Sequence, residues 1–112
     1  MRMERPVTII DYDRGNLFSV ARAVEACGAA PMISDCPEAV ANAERLILPG
    51  VGAFGDAMEA LRRRGLTDAI HAFIATGRPF LGICIGMQVL FDQGEEFGNH
   101  AGLGLIPGKV LA

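Results

Sequence analysis

Residues 79–91 read Pro79-Phe80-Leu81-Gly82-Ile83-Cys84-Ile85-Gly86-Met87-Gln88-Val89-Leu90-Phe91. A short apolar run ends at Cys84 and a segment with helical spacing follows directly, so the stretch reads as strand, tight turn and helix. Gly82 and Gly86 stand two residues before and two residues after the cysteine. That is the layout of a nucleophile elbow: the side chain at the tip sits on a strained backbone, and the flanking glycines make room around it. At a helix mouth, backbone N–H groups and the positive end of the dipole suit a nucleophilic sulfur. The competing reading is a small cysteine buried in an apolar run.

Working outward, strands and helices alternate. Val7-Thr8-Ile9-Ile10 is short and β-branched and ends at Asp11, as a buried strand does where it reaches solvent. Leu17, Val20, Ala21, Val24 and Cys27 recur at helical spacing, and Gly28 stops that helix. Ala30 to Ser34 predicts a second strand, Pro37 with Ala39, Val40 and Ala43 a short helix, and Leu46-Ile47-Leu48 a third strand closed by Pro49-Gly50. Ala57, Met58 and Leu61 share one helical face; Leu66, Ala69, Ile70, Phe73 and Ile74 share another, ended by Gly77. Phe80 to Ile83 is the fourth strand. The helix after Cys84 is expected to carry Met87, Leu90 and Phe91 and to end at Gln93-Gly94. A glycine-rich acidic loop then leads to a fifth strand or hairpin around Leu103 to Leu111, interrupted by Pro107-Gly108. This order predicts an α/β fold, a mostly parallel sheet with helices on both faces.

Composition narrows the function. The 112 residues are one domain's worth of chain, and 51% apolar content with a mean hydropathy of +0.33 implies a folded core. A formal charge of −3 and a pI near 5.3 give no electrostatic case for nucleic-acid or anionic-membrane binding. Arg62-Arg63-Arg64 is the one basic cluster, read as a solvated helix end, with a docking or phosphate patch as the alternative. Three cysteines, Cys27, Cys36 and Cys84, show neither CxxC pairing nor a neighbouring histidine pattern, against a disulfide framework or zinc. Met1 to Pro6 has the makings of neither a signal peptide nor a membrane span, so a cytoplasmic location is expected.

In an open parallel sheet, ligands bind at the carboxyl ends of the strands. Three loops fall there: Asp11-Tyr12-Asp13-Arg14-Gly15-Asn16, Pro49-Gly50-Val51-Gly52-Ala53-Phe54-Gly55, and the turn at Cys84. Gly50-x-Gly52-x-x-Gly55 formally matches a dinucleotide-binding fingerprint. That fingerprint belongs to the first strand of its unit and needs an acidic residue at the end of the next strand, whereas Asp68 falls in a helical pattern. These glycines instead suit a backbone segment that flips to aim an N–H at a neighbouring site. The candidate oxyanion-hole donors are the N–H of Val51 or Gly52 and that of Ile85; such a donor typically contributes about 2.7–4 kcal/mol to barrier reduction.

Taken together, Gly82-x-Cys84-x-Gly86-Met87-Gln88, the loop from Pro49 to Met58 and Asp11-Tyr12-x-x-Gly15-Asn16-Leu17-x-Ser19-Val20 resemble one family. It is the glutaminase subunit of imidazole glycerol phosphate synthase, a class I glutamine amidotransferase of histidine biosynthesis, and the likeness runs from Val7 to Val110. The resemblance implies a flavodoxin-like amidotransferase fold, of which residues 1–112 are the N-terminal part, incomplete at the C-terminus. It implies hydrolysis of glutamine to glutamate and ammonia without cofactor or metal. The ammonia passes, within a heterodimer, to a cyclase subunit that makes imidazole glycerol phosphate and an aminoimidazole carboxamide ribotide. It makes Cys84 the nucleophile that forms a glutamyl thioester. Gln88, Gly50 and Gly52 then match substrate-binding positions, Gly50 and Val51 the peptide that reorients to form the oxyanion hole, and Asn16 a loop near the subunit interface. Asp13 stands where members often carry glycine.

A cysteine amidase also needs a general base, usually histidine oriented by a carboxylate. The family supplies both from a late His-Pro-Glu segment, which this sequence does not contain. His71 reads as the solvent side of a helix, His100 as an exposed loop residue, and Glu95 and Glu96 as solvated loop charges. The 112-residue chain is therefore expected to lack turnover, and its open parallel sheet to self-associate. Two alternatives stay open: another class I amidotransferase, serving purine or pyridoxal phosphate synthesis, and a flavodoxin-like binding module whose cysteine is structural.

Overall fold

The computed structural model describes residues 5–13 and 16–111. Residues 14 and 15 of the first loop motif, and most of the Met1–Pro6 segment, lie outside them. Seven strands and five helices occur among the described residues. Four strands, β1 (Pro6–Ile10), β2 (Ala30–Ser34), β3 (Leu46–Leu48) and β4 (Phe80–Gly82), form a parallel sheet in the order β2-β1-β3-β4. That order begins the flavodoxin-like arrangement, with its switch point between β1 and β3.

Alternation along the strands divides the core between the two faces. Val7 and Ile9 of β1 and Ile47 of β3 pack on one side against Val24, with Leu17, Val20 and Ala21 of α1 (Leu17–Ala26) alongside. Ile10, Leu46 and Leu48 belong to the larger cluster on the other side. There they meet Val40 of α2 (Pro37–Ala41), Met58 and Leu61 of α3 (Phe54–Arg63), and Ile70 and Phe73 of α4 (Leu66–Ala75). Helices thus cover both faces, as the apolar spacing predicted. Burying side chains such as Ile9, Leu61 and Phe73, each 0% exposed, contributes roughly 1.5–3 kcal/mol apiece before ordering costs.

The region after Cys84 departs from expectation. The helix α5 covers only Ile85–Gln88, and Phe91–Gly94 is a strand, β5, rather than the end of a longer helix. β5 pairs antiparallel with β6 (His100–Ala101) and parallel with β7 (Ile106–Val110). The Leu90 carbonyl accepts from the N–H groups of Leu105 and Ile106 at 2.8 and 3.0 Å, and the Val89 carbonyl from Leu103 at 2.7 Å. These pairings with residues fifteen positions away on average override the local helical spacing of Met87, Leu90 and Phe91. Pro107-Gly108 does not break β7: it is absorbed where the register shifts between Phe91 and Gln93, and the Gly108 N–H donates to Asp92 Oδ2 at 3.1 Å.

No helix of the described residues is long and apolar enough to cross a membrane.

Candidate active site

The carboxyl ends of β1, β3 and β4 bring the three loops together. Cys84 caps α5 with φ 55° and ψ −120°, a conformation that L residues with a side chain rarely adopt. Its side chain is exposed, which sets aside the buried-cysteine reading. The flanking glycines are there for space. A Cβ on Gly86 would fall on the carbonyl of Leu48, and one on Gly82 would lie 2.8 Å from the Gly86 carbonyl oxygen and the Met87 Cα. The turn can thus seat itself on β3 only with glycine at both positions.

Gln88, the last residue of α5, is half-buried, and its N–H donates to the Cys84 carbonyl at 3.1 Å. Four residues apart, the two lie on one side of the turn. The middle loop lies against the elbow: Pro49 and Gly50 are buried, Val51 and Gly52 exposed, and Gly52 has φ 99°. A Cβ on Gly50 would run into the Tyr12 hydroxyl and crowd Ile85 Cβ at 3.3 Å. Ile85, expected to offer its N–H to an oxyanion, donates it to the Gly50 carbonyl at 3.3 Å. Asn16 caps α1, its Oδ1 accepting from the Ser19 N–H at 3.1 Å.

His71 is exposed on α4, as expected, whereas several other sequence readings change. Both histidines are engaged away from Cys84. His71 has Nδ1 at the Thr67 carbonyl, 2.9 Å, and Nε2 at the Leu103 carbonyl, 2.7 Å. His100 lies over Gly55, where an added Cβ would be 2.6 Å from its Nδ1, and its Nε2 is 3.1 Å from the Phe97 carbonyl. The third glycine of the Gly50-x-Gly52-x-x-Gly55 pattern therefore makes room for an imidazole. Arg62 and Arg64 are not simply solvated: Arg62 donates to the Ala101 carbonyl at 2.9 Å, and Arg64 pairs with Asp13 and, at 3.6 Å, with Asp35. Asp13, at the position the resemblance gives as often glycine, has φ 67° and is held by that arginine. Glu95 pairs with Lys109 at 3.1 Å, and Glu96 lines a hollow of about 270 Å³ with Ala53, Asp56 and His100. Sequence reasoning missed Tyr12, a fully buried phenol whose hydroxyl donates to the Pro49 carbonyl at 2.5 Å. A lone tyrosine between two aspartates carries no periodic signal that would have found it.

An apolar groove of about 440 Å³ lies elsewhere, under α1, lined by Val20, Val24, Ile47, Leu81 and Ile83 among others. It is the partly covered sheet face beside β4 and holds neither Cys84 nor its flanking glycines Gly82 and Gly86. No group of three or more potential metal-ligating side chains occurs among the described residues.

An exposed cysteine on a glycine-flanked elbow, at the carboxyl edge of a parallel sheet, is the framework of a class I glutamine amidotransferase. The model of the CobB/CobQ-like glutamine amidotransferase domain matches residues 6–112, and the chain belongs to that family. Within it, the sequence is 57% identical over 106 residues to imidazole glycerol phosphate synthase subunit HisH of Rhodopirellula baltica, covering 95% of this chain and 52% of that protein. The subunit HisH of Sulfurimonas denitrificans is 55% identical over the same length, with 95% and 51% covered. The chain thus spans about half the length of the curated relatives it matches. In fold, a solved peptidase E protein from Listeria monocytogenes EGD-e superimposes with a TM-score of 0.74 at 16% identity, over 91% of this chain and 63% of that one.

Proposed function

We propose that this chain carries the nucleophile half of a glutaminase. Residues 1–112 would form the N-terminal part of a single amidotransferase domain that delivers ammonia to a cyclase subunit in histidine biosynthesis, in the cytoplasm. The observation that supports this most directly is Cys84, exposed on a strained turn, in a chain of the glutamine amidotransferase family. Cys84 Sγ attacks the amide carbon of glutamine, the amide nitrogen leaves as ammonia, and water later cleaves the thioester to glutamate. Gln88, Gly50 and Gly52 hold the substrate. The N–H groups of Ile85 and of Val51 or Gly52 receive the oxyanion once the Gly50–Val51 peptide turns away from Ile85. Asn16 lies near the cyclase, in addition to capping α1.

The resemblance puts the base and its carboxylate in a late His-Pro-Glu segment, which these 112 residues do not contain. By itself, therefore, the 112-residue chain hydrolyses glutamine negligibly. The test is a chimera of this chain with the remaining segment of the Rhodopirellula relative, assayed for glutamate release with a cyclase subunit present. Activity that disappears in Cys84→Ala is expected; a chimera that folds, binds the cyclase and releases no glutamate would count against the reading.

A further inference from the structure

Two consecutive carbonyls of the loop after β3 are held by donors from the two loops on either side. The Tyr12 hydroxyl donates to the Pro49 carbonyl at 2.5 Å, and the Ile85 N–H donates to the Gly50 carbonyl at 3.3 Å. Tyr12 is 0% exposed, and its oxygen sits where a side chain on Gly50 would begin. One end of the Pro49–Gly50 peptide is therefore fixed from the first loop. The next peptide, Gly50–Val51, keeps its oxygen on the donor that follows the nucleophile.

We propose that Tyr12 is a positioning residue that latches this loop in the state where the Gly50 carbonyl covers the Ile85 N–H, and that it links the loop's release to movement of the first loop. This rests on the glutaminase reading, in which Ile85 N–H must be freed to receive an oxyanion. The physical case is direct. The Tyr12 hydroxyl fixes the Pro49–Gly50 peptide, against which the Gly50–Val51 peptide must turn, and losing that bond deprives the buried Pro49 carbonyl of this donor. Tyr12 is also joined covalently to Asp13, whose carboxylate is paired with Arg64, and lies four residues before Asn16, the cap of α1. Whatever displaces the first loop at Asp13 pulls on the adjoining phenol, and through it on the Pro49 carbonyl. Arg64 supplies the counterweight by tying the same loop to the end of α3.

The experiment is residue-resolved hydrogen exchange on the 112-residue chain, comparing Tyr12 with Tyr12→Phe and with 4-fluorophenylalanine at position 12. The fluorine fills the place of the oxygen but donates nothing, so the second variant separates a lost hydrogen bond from a small void. In both variants the Ile85 amide is expected to exchange about tenfold faster, the size set by loss of one buried hydrogen bond. The strand amides of Ile9 and Ile47 stay within about twofold. Exchange at Ile85 that moves no more than at Ile9 and Ile47, or a uniform rise at all three, overturns the latch and leaves Tyr12 as core packing. Labelling of Cys84 by 6-diazo-5-oxo-norleucine, run in parallel, keeps the two ideas apart. A faster Ile85 amide with no labelling of Cys84, in this chain or in the chimera with the relative's remaining segment, upholds the latch and removes the glutaminase reading. Labelling with an unchanged Ile85 amide does the reverse.

Discussion

The backbone N–H of Ile85 donates to the carbonyl oxygen of Gly50. The residue that follows Cys84 thus has its N–H occupied by the loop proposed to supply the second oxyanion donor. Under the proposed glutaminase function, a site in this state displays its nucleophile and withholds its electrostatic stabilisation until one peptide rearranges. Gly50 suits that task, since a side chain there would strike Tyr12 and crowd Ile85 in this state.

Strain at the elbow is measurable without activity. Cys84 has φ 55° and ψ −120°, which glycine tolerates and alanine does not. Cys84→Gly is expected to be more stable than Cys84→Ala by about 1–3 kcal/mol, the usual size of such backbone strain. Urea unfolding of the two variants checks this; equal midpoints would mean that the turn relaxes.

Close approach predicts a second ranking. The methyl of Gly86→Ala meets the Leu48 carbonyl, which is backbone and has nowhere to go, whereas the methyl of Gly52→Ala meets nothing within 4 Å and suffers only from φ 99°. Gly86→Ala is expected to lose about 3 kcal/mol, at the upper end of ordinary overpacking. Gly52→Ala is expected to lose about 1 kcal/mol, from backbone strain alone. Thermal melting of both variants gives the order; a reversal would contradict the seating of α5 on β3.

The open side of the sheet carries a third expectation. β4 stands at the sheet's edge among the described strands, with Leu81 54% exposed beside the groove that also includes Ile83 and Ile47. Exposed parallel edges with apolar faces associate. The 112-residue chain is expected to show concentration-dependent association in sedimentation velocity, and Leu81→Lys to reduce it. A strictly monomeric chain would contradict this.

Much of the fold was legible because it depends on local pattern. The β-branched Val7–Ile10 run, the Leu17 to Val24 spacing and the Leu46–Leu48 run each fixed an element to within about two residues, as strongly periodic segments do. The elbow was legible too, because glycines two residues either side of a cysteine have a steric reason. What local pattern could not give is the chain after α5. Met87, Leu90 and Phe91 keep helical spacing, yet the carbonyls of Val89 and Leu90 are claimed by Leu103, Leu105 and Ile106. The same holds for side chains whose roles arise from long-range contact: Tyr12 on Pro49, Arg64 on Asp13 and Asp35, and His100 over Gly55. Nothing in the spacing of these residues announces such meetings.

The most direct test of a glutamine-handling nucleophile is covalent labelling with 6-diazo-5-oxo-norleucine, followed by intact-mass analysis and peptide mapping, on this chain and on the chimera with the relative's remaining segment. All three cysteines are exposed, so exposure alone would let Cys27 and Cys36 react as well. The predicted result is a single modification at Cys84 in both proteins, slowed by added glutamine. Labelling spread evenly over Cys27, Cys36 and Cys84, or absent from Cys84 in both, would contradict it.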